Sequence, residues 1–123
     1  MSQTTGQLQT VNRMVAVLKP KKPYLDWINS LPGMDKTPVT FEDLNRECSC
    51  CLLPEYDDNE QGREFILKNS QKIFEVELGA WDNSGEDWPE KLDRRLFKEF
   101  FDIEVHSELI DLMKGPIERE DFF

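Results

Sequence analysis

Between Leu92 and His106 the hydrophobic period of the chain changes within a single residue. Leu92, Leu96, Phe97 and Phe100 recur at helical spacing, with Asp93 as a candidate N-cap. From Phe101 the period drops to two. Phe101, Ile103 and Val105 point one way, and Asp102, Glu104, His106 and Glu108 point the other. An amphipathic helix running straight into a half-buried strand must share a core with it, so the chain has to be a layered mixture of α and β. The apolar positions then shift parity to Ile110 and Leu112, which predicts a bulge or bend near Ser107.

The rest of the sequence supplies elements of both kinds. Val11 to Leu18 is a β-rich run stopped by Pro20, and its centre, Met14 to Leu18, is apolar on both faces, which predicts a strand buried on both sides. Tyr24, Trp27, Ile28 and Leu31 form one helical face, opened by Pro23 and closed by Pro32-Gly33. Thr40 with Asp43 has the form of a capping box in its shorter acid version, and predicts a short helix to about Glu47. Cys48 to Leu53 is apolar and bounded by Pro54, and is expected to be a strand, with helix as its competitor. Tyr56 to Gln61 is expected to be an acidic turn. A long helix over 62–81 is predicted from Ile66, Ile73, Phe74, Leu78 and Trp81, widened by Phe65 and Val76, with Gly79 near its end. Asp82 to Glu90 is a loop of turn-forming residues.

Residues 1–10 are polar and are expected to be a flexible tail. Residues 115–123 are expected to be a loose C-terminal tail, with docking of Phe122-Phe123 as its alternative. The expectation is therefore an α+β fold over 11–114. It is one domain of about three strands covered by about four helices in the order β-α-α-β-α-α-β. Connections of this length permit parallel strands with right-handed crossovers.

Charge excludes some functions. The net charge is −10, and it is uneven: residues 1–54 sum to +1 and residues 55–123 to −11. Direct nucleic-acid binding needs a basic face that releases counterions, so none is expected, and anionic membranes are disfavoured for the same reason. A basic protein partner suits the sign, as does mimicry of a nucleic acid; simple solubility also accounts for it. No apolar run reaches the length of a membrane span and no signal peptide is apparent, so a cytoplasmic location is expected.

Four places carry chemistry-capable side chains. Cys48, Cys50 and Cys51 crowd together, an arrangement unsuited to a bridge and short of the four ligands of a structural zinc site. As a strand it would put Cys48 and Cys50 on one face and Cys51 on the other, and buried structural thiols are its plainest account. His106 is the single histidine. With Glu104 and Glu108 on its face, about 7 Å away by strand geometry, and Cys50 elsewhere, it is the candidate for a ligand or metal site or for acid–base work. An ordinary solvated face has the same alternation. Trp81 and Trp88 flank a loop containing Glu86 and Asp87; tryptophans on loops mark binding surfaces, or else cap a core. Lys19-Pro20-Lys21-Lys22-Pro23 precedes a helix but lacks a glycine-rich cradle, so a solvated linker describes it better than a phosphate site. No standard catalytic or dinucleotide motif occurs, and no catalytic residue, metal or cofactor is assigned.

The runs Val11 to Asn29 (VNRMVAVLKPKKPYLDWIN), Ile73 to Trp81 (IFEVELGAW), Trp88-Pro89 and Phe100 to Ser107 (FFDIEVHS) resemble a group of short acidic bacterial proteins of unknown function. The resemblance covers roughly residues 11–118. It implies a small bacterial domain and transfers neither an activity nor a functional residue.

The leading expectation is a protein-interaction domain acting through its acidic C-terminal half or through Trp81, Trp88, Glu86 and Asp87. The alternatives are an enzyme or ligand binder built on His106, Glu104, Glu108 and Cys50, and an acidic nucleic-acid mimic. An interaction domain should expose an apolar patch rimmed by acids and leave His106 on a wet face. An enzyme should enclose His106 in a pocket with a carboxylate.

Overall fold

A computed structural model describes residues 5–122. The chain runs β1 (Thr5–Thr10), β2 (Arg13–Pro20), α1 (Lys22–Ser30), α2 (Phe41–Arg46), β3 (Cys50–Pro54), α3 (Asn59–Lys68), α4 (Ser70–Gly79), α5 (Arg94–Phe100), β4 (Phe101–His106) and β5 (Ile110–Met113). The fold is α+β.

Several boundaries sit where local chemistry puts them. Thr40 and Asp43 close a full capping box at the start of α2: the Asp43 amide donates to the Thr40 hydroxyl at 3.1 Å, and the Thr40 amide donates to the Asp43 carboxylate at 3.3 Å. Asp93 caps α5 by accepting from the Leu96 amide at 2.9 Å. At Phe100-Phe101 helix gives way directly to strand, and both rings remain in the core.

The central sheet has the order β3-β2-β4, and both pairings are antiparallel. The parallel crossovers allowed by the connection lengths do not occur between neighbours. Two helices, α1 and α2, carry the chain away from the end of β2 and back again, so β3 sets off from that same end in the opposite direction. Residues 5–10 are also not a tail. They form β1, which pairs antiparallel with β5 (Thr10↔Ile110, Gln9↔Asp111). Residues 1–4, the remainder of the expected N-terminal tail, lie outside the described residues, as does Phe123. With β2–β4, the β1–β5 pair makes one long two-stranded ribbon, bent where the chain passes through Val11-Asn12 and through Ser107–Leu109. The break after His106 is where the parity shift predicted it.

The expected single helix over 62–81 is two helices, α3 and α4, so the described fold has five. Asn69 ends one and starts the other, its side-chain amide donating back to the Phe65 carbonyl at 2.9 Å. The buried stripe nevertheless continues through Ile66, Ser70, Phe74 and Leu78 at steps of four. The true N-terminus of α3 lies earlier than expected. Asp58 accepts from the Gln61 amide at 2.9 Å, which turns part of the acidic turn into a capped first turn.

The helices cover one face of the sheet. Met14, Ala16 and Leu18 of β2, Leu53 of β3, and Phe101, Ile103 and Val105 of β4 point into the core. Above them Phe74 meets Phe97 edge-on at 5.4 Å and Phe100 at 5.3 Å, and Tyr24 lies 4.7 Å from Phe101, ring centre to ring centre. The other face is bare. Val15 and Val17, expected to be buried, are only half-buried there, because no second layer exists on that side. The free edge of β4 is covered by α3 side chains: Asn59 donates to the Val105 carbonyl and Arg63 to the Ile103 carbonyl, each at 3.3 Å.

Candidate functional site

The bare sheet face carries a mixed surface. In register, Val15 lies between Leu52 and His106, and Val17 between Cys50 and Glu104. The β4 side of this face is charged and the β3 side apolar. His106 is solvent-exposed with Glu104, its Nε2 lying 3.6 Å from a Glu104 carboxylate oxygen. Glu108 lies past the end of β4 and is exposed. Cys50 sits two strands from His106, so by sheet spacing they are roughly 10 Å apart or more. Among the described residues no group of three His, Cys, Asp or Glu side chains is placed to hold a metal ion. The constellation His106, Glu104, Glu108 and Cys50 is therefore not drawn together into one pocket.

The cysteines also differ from the expected buried cluster. Cys50 is exposed on the bare face, whereas Cys48 and Cys51 are half-buried and all three are free. Cys48 precedes the strand, so it does not share a strand face with Cys50. Cys51 points at the helix layer. Burial, then the nearby Glu77 carboxylate, then Cys50, push its thiol up to about 11, which leaves it unreactive at neutral pH.

The tryptophan loop divides. Trp88 packs half-buried against the core and donates its indole N–H to the Asp82 carbonyl at 2.7 Å. Asp82 organises the turn by accepting from the Ser84 hydroxyl, the Ser84 amide and, at 2.9 Å, the Asp87 amide; these bonds, that of the Ser84 hydroxyl first, hold its carboxyl below the ordinary value. The Asp87 carbonyl accepts from the Trp27 indole at 2.9 Å. Glu86 and Asp87 are exposed, but the backbone they ride on is tied to the body. Trp81 points elsewhere. It stands at the rim of a cleft of about 470 Å³ between α4, α2 and the start of β3, with Tyr24, Phe101, Ser49 and Glu77 among the walls.

A surface that sequence patterning did not reveal lies at the bend of the ribbon. Leu8 of β1 and Ile110 and Leu112 of β5 lie on the β1–β5 arm, Ile110 and Leu112 on one face by strand alternation, and the pairing shifts register between Thr5 and Gln9. All three are at least half exposed, as is Ile117, while Leu52 and Met113 are nearly so. Where the arm meets the sheet, Leu52, Ile110, Met113 and Ile117 line a groove of about 570 Å³, with Arg13 and Arg119 at its margin. Phe122 stands clear at 80% exposure, and Phe123, the other half of the expected docking alternative, lies outside the described residues. The signal for this surface was the parity shift at Ser107. It placed Ile110 and Leu112 off the core face, yet the second strand of the arm is polar and gave no hint of its partner.

Comparison of the chain with protein-family models, with curated proteins and with solved structures finds no match. No helix among the described residues is long and apolar enough to cross a membrane.

Proposed function

We propose that this protein is a protein-interaction domain, and that it takes up an apolar segment of a partner protein in the groove at the root of the β1–β5 arm. The observation that carries this is the exposure of Leu52, Ile110, Met113 and Ile117 around one groove. Scattered exposed leucines need no explanation, but contiguous ones around a concave surface do. The arm strengthens the case. A two-stranded ribbon has little stability alone, and β1 and β5 pair chiefly with one another. A partner that buried this strip would steady the arm while removing apolar area from water. Charged side chains of both signs edge the groove, Asp111 against Arg13, Lys114 and Arg119, and His106 stays wet. The tryptophan loop supports this role less well than the groove, since Trp88 is engaged in holding the loop.

The test compares wild type with an Ile110→Asp, Leu52→Asp double variant. Immobilised proteins are offered a whole-cell extract and the captured proteins are quantified, while sedimentation reports self-association. A partner, or a second copy, held by wild type and released by the variant supports the assignment. Identical recovery of every protein, together with a monomeric wild type at about 100 μM, well above the micromolar constants of ordinary transient complexes, would remove it.

A further inference from the structure

The Trp81 cleft is independent of the arm and has a different chemistry. Its floor is Glu77 on α4. This carboxylate is half-buried, and burial pushes its carboxyl above the ordinary range, with the nearby Ser49 hydroxyl only partly offsetting that. Among the described residues no basic side chain pairs with Glu77. Arg46, at the cleft margin, is already engaged by Glu42 at 3.3 Å and Asp43 at 3.8 Å. Asp43 in turn is committed to the Thr40 cap. The Tyr24 hydroxyl donates to the Glu77 carbonyl at 3.2 Å, and Tyr24 and Trp81 line the same cleft as Glu77. Glu77 is thus a half-buried carboxylate without a counter-charge, and it shares with the Trp81 indole a cleft of about 470 Å³, in the usual size range of small-ligand sites.

We propose that this cleft binds an alkylguanidinium group, with Glu77 as its counter-ion and Trp81 as its stacking wall. A guanidinium is flat, weakly hydrated and forked, so it can present two N–H groups to one carboxylate and lay its face on an indole. An ammonium is more strongly hydrated and gives up more water to enter. The cleft also contains Glu47, so the local balance of charge with Arg46 included favours a cation. The apolar flank from Leu18 and Val39 suits the methylene stem behind the charged head. The group could belong to a free small molecule or to an arginine of a protein partner, and the chemistry of the head is the same.

The experiment is calorimetric titration of the full chain near neutral pH and low salt, with the Trp81 indole N–H resonance followed in parallel. The probe is N-acetyl-arginine amide. N-acetyl-citrulline amide is its uncharged isostere, and N-acetyl-lysine amide carries the ammonium. The arginine probe should saturate and move the Trp81 resonance, citrulline should bind at least about tenfold more weakly, and lysine should fall between them. Glu77→Gln should lose at least about tenfold toward the arginine probe, with its binding of citrulline unchanged. Since Gln matches Glu in shape, its circular dichroism reports whether the fold is kept; Trp81→Phe, which keeps a ring, is the second variant and should weaken the arginine probe alone. No saturation by tens of millimolar, equal affinity for arginine and citrulline, or an unaltered Glu77→Gln would overturn the proposal. A blocked Gly-Gly-Arg-Gly-Gly peptide and ethylguanidinium then separate the sources: tighter binding of the peptide assigns the cleft to a protein arginine, and equal binding assigns it to a small molecule.

Discussion

Gly62 faces the sheet from the first turns of α3, and replacing it with alanine sets two known effects against each other. In a helix interior, alanine is favoured over glycine by about 0.5–1 kcal/mol. Against that, an added Cβ would stand 3.0 Å from Val105 Cγ1, 3.3 Å from Leu53 Cδ1 and 3.7 Å from Met14 Cε. Val105 is β-branched on a strand, so its rotation is restricted, and all three neighbours are buried. Forcing a methyl into a packed site of this kind costs about 1–3 kcal/mol. The steric cost wins, and Gly62→Ala should lose about 1 kcal/mol, the difference of those two ranges. For a chain of 123 residues this lowers Tm by about 4 °C. Urea unfolding with an unchanged m-value measures it. The cause is then isolated by a cycle with Val105→Ala. If the contact is what hurts, Val105→Ala costs less in the Gly62→Ala background, by at least about 0.5 kcal/mol. A stabilised Gly62→Ala variant, or strict additivity in the cycle, would refute the claim that α3 is held this close to β4.

Other expected outcomes follow from the same packing. Trp88→Ala should cost about 3 kcal/mol, because the ring is packed on the core and its N–H is bonded, while Trp81→Ala should cost roughly half as much or less; chemical denaturation separates them. Glu77 has a raised carboxyl in the folded state, so the stability associated with its protonated form is present below its unfolded value and is lost as pH rises through the folded one. Glu77→Gln should therefore be more stable than wild type at pH 7 and lose that advantage near pH 3–4, roughly at or below the ordinary carboxylate range, as read by Tm against pH. With a thiol reagent at pH 8, about one cysteine, Cys50, should react quickly, and Cys51, whose thiol is pushed up to about 11, should react only on unfolding; peptide mapping of the modified sites checks this.

The elements that were legible from the sequence are those whose cause is local. The capping box at Thr40, the cap at Asp93 and the alternation of Phe101, Ile103 and Val105 each involve residues three or fewer positions apart, and each appears in the fold as its chemistry demands. What was hidden depends on distant chain. Thr5 to Thr10 has no apolar period of its own, and it is a strand only because Ile110 to Met113 offers it a ladder. Val15 and Val17 have the composition of a strand buried on both faces, but burial is decided by whether a second layer exists. Asn69 interrupts an unbroken hydrophobic stripe, and its side-chain bond to Phe65 is invisible to periodicity. The same divide holds for the sites. His106 and Trp88 were conspicuous by rarity. Glu77 was an ordinary helix glutamate until the fold enclosed it beside Trp81.

The bonds from Asn59 and Arg63 to the outer carbonyls of β4 make the central sheet one-sided. Backbone groups on that flank are already spoken for by α3, so no foreign strand can be stitched on there without first peeling the helix away. The opposite flank, β3, carries no such guard among the described residues. Growth of the three-stranded sheet by copying itself end over end would need two welcoming borders, and among the described residues that sheet has one, which stops it from lengthening in both directions.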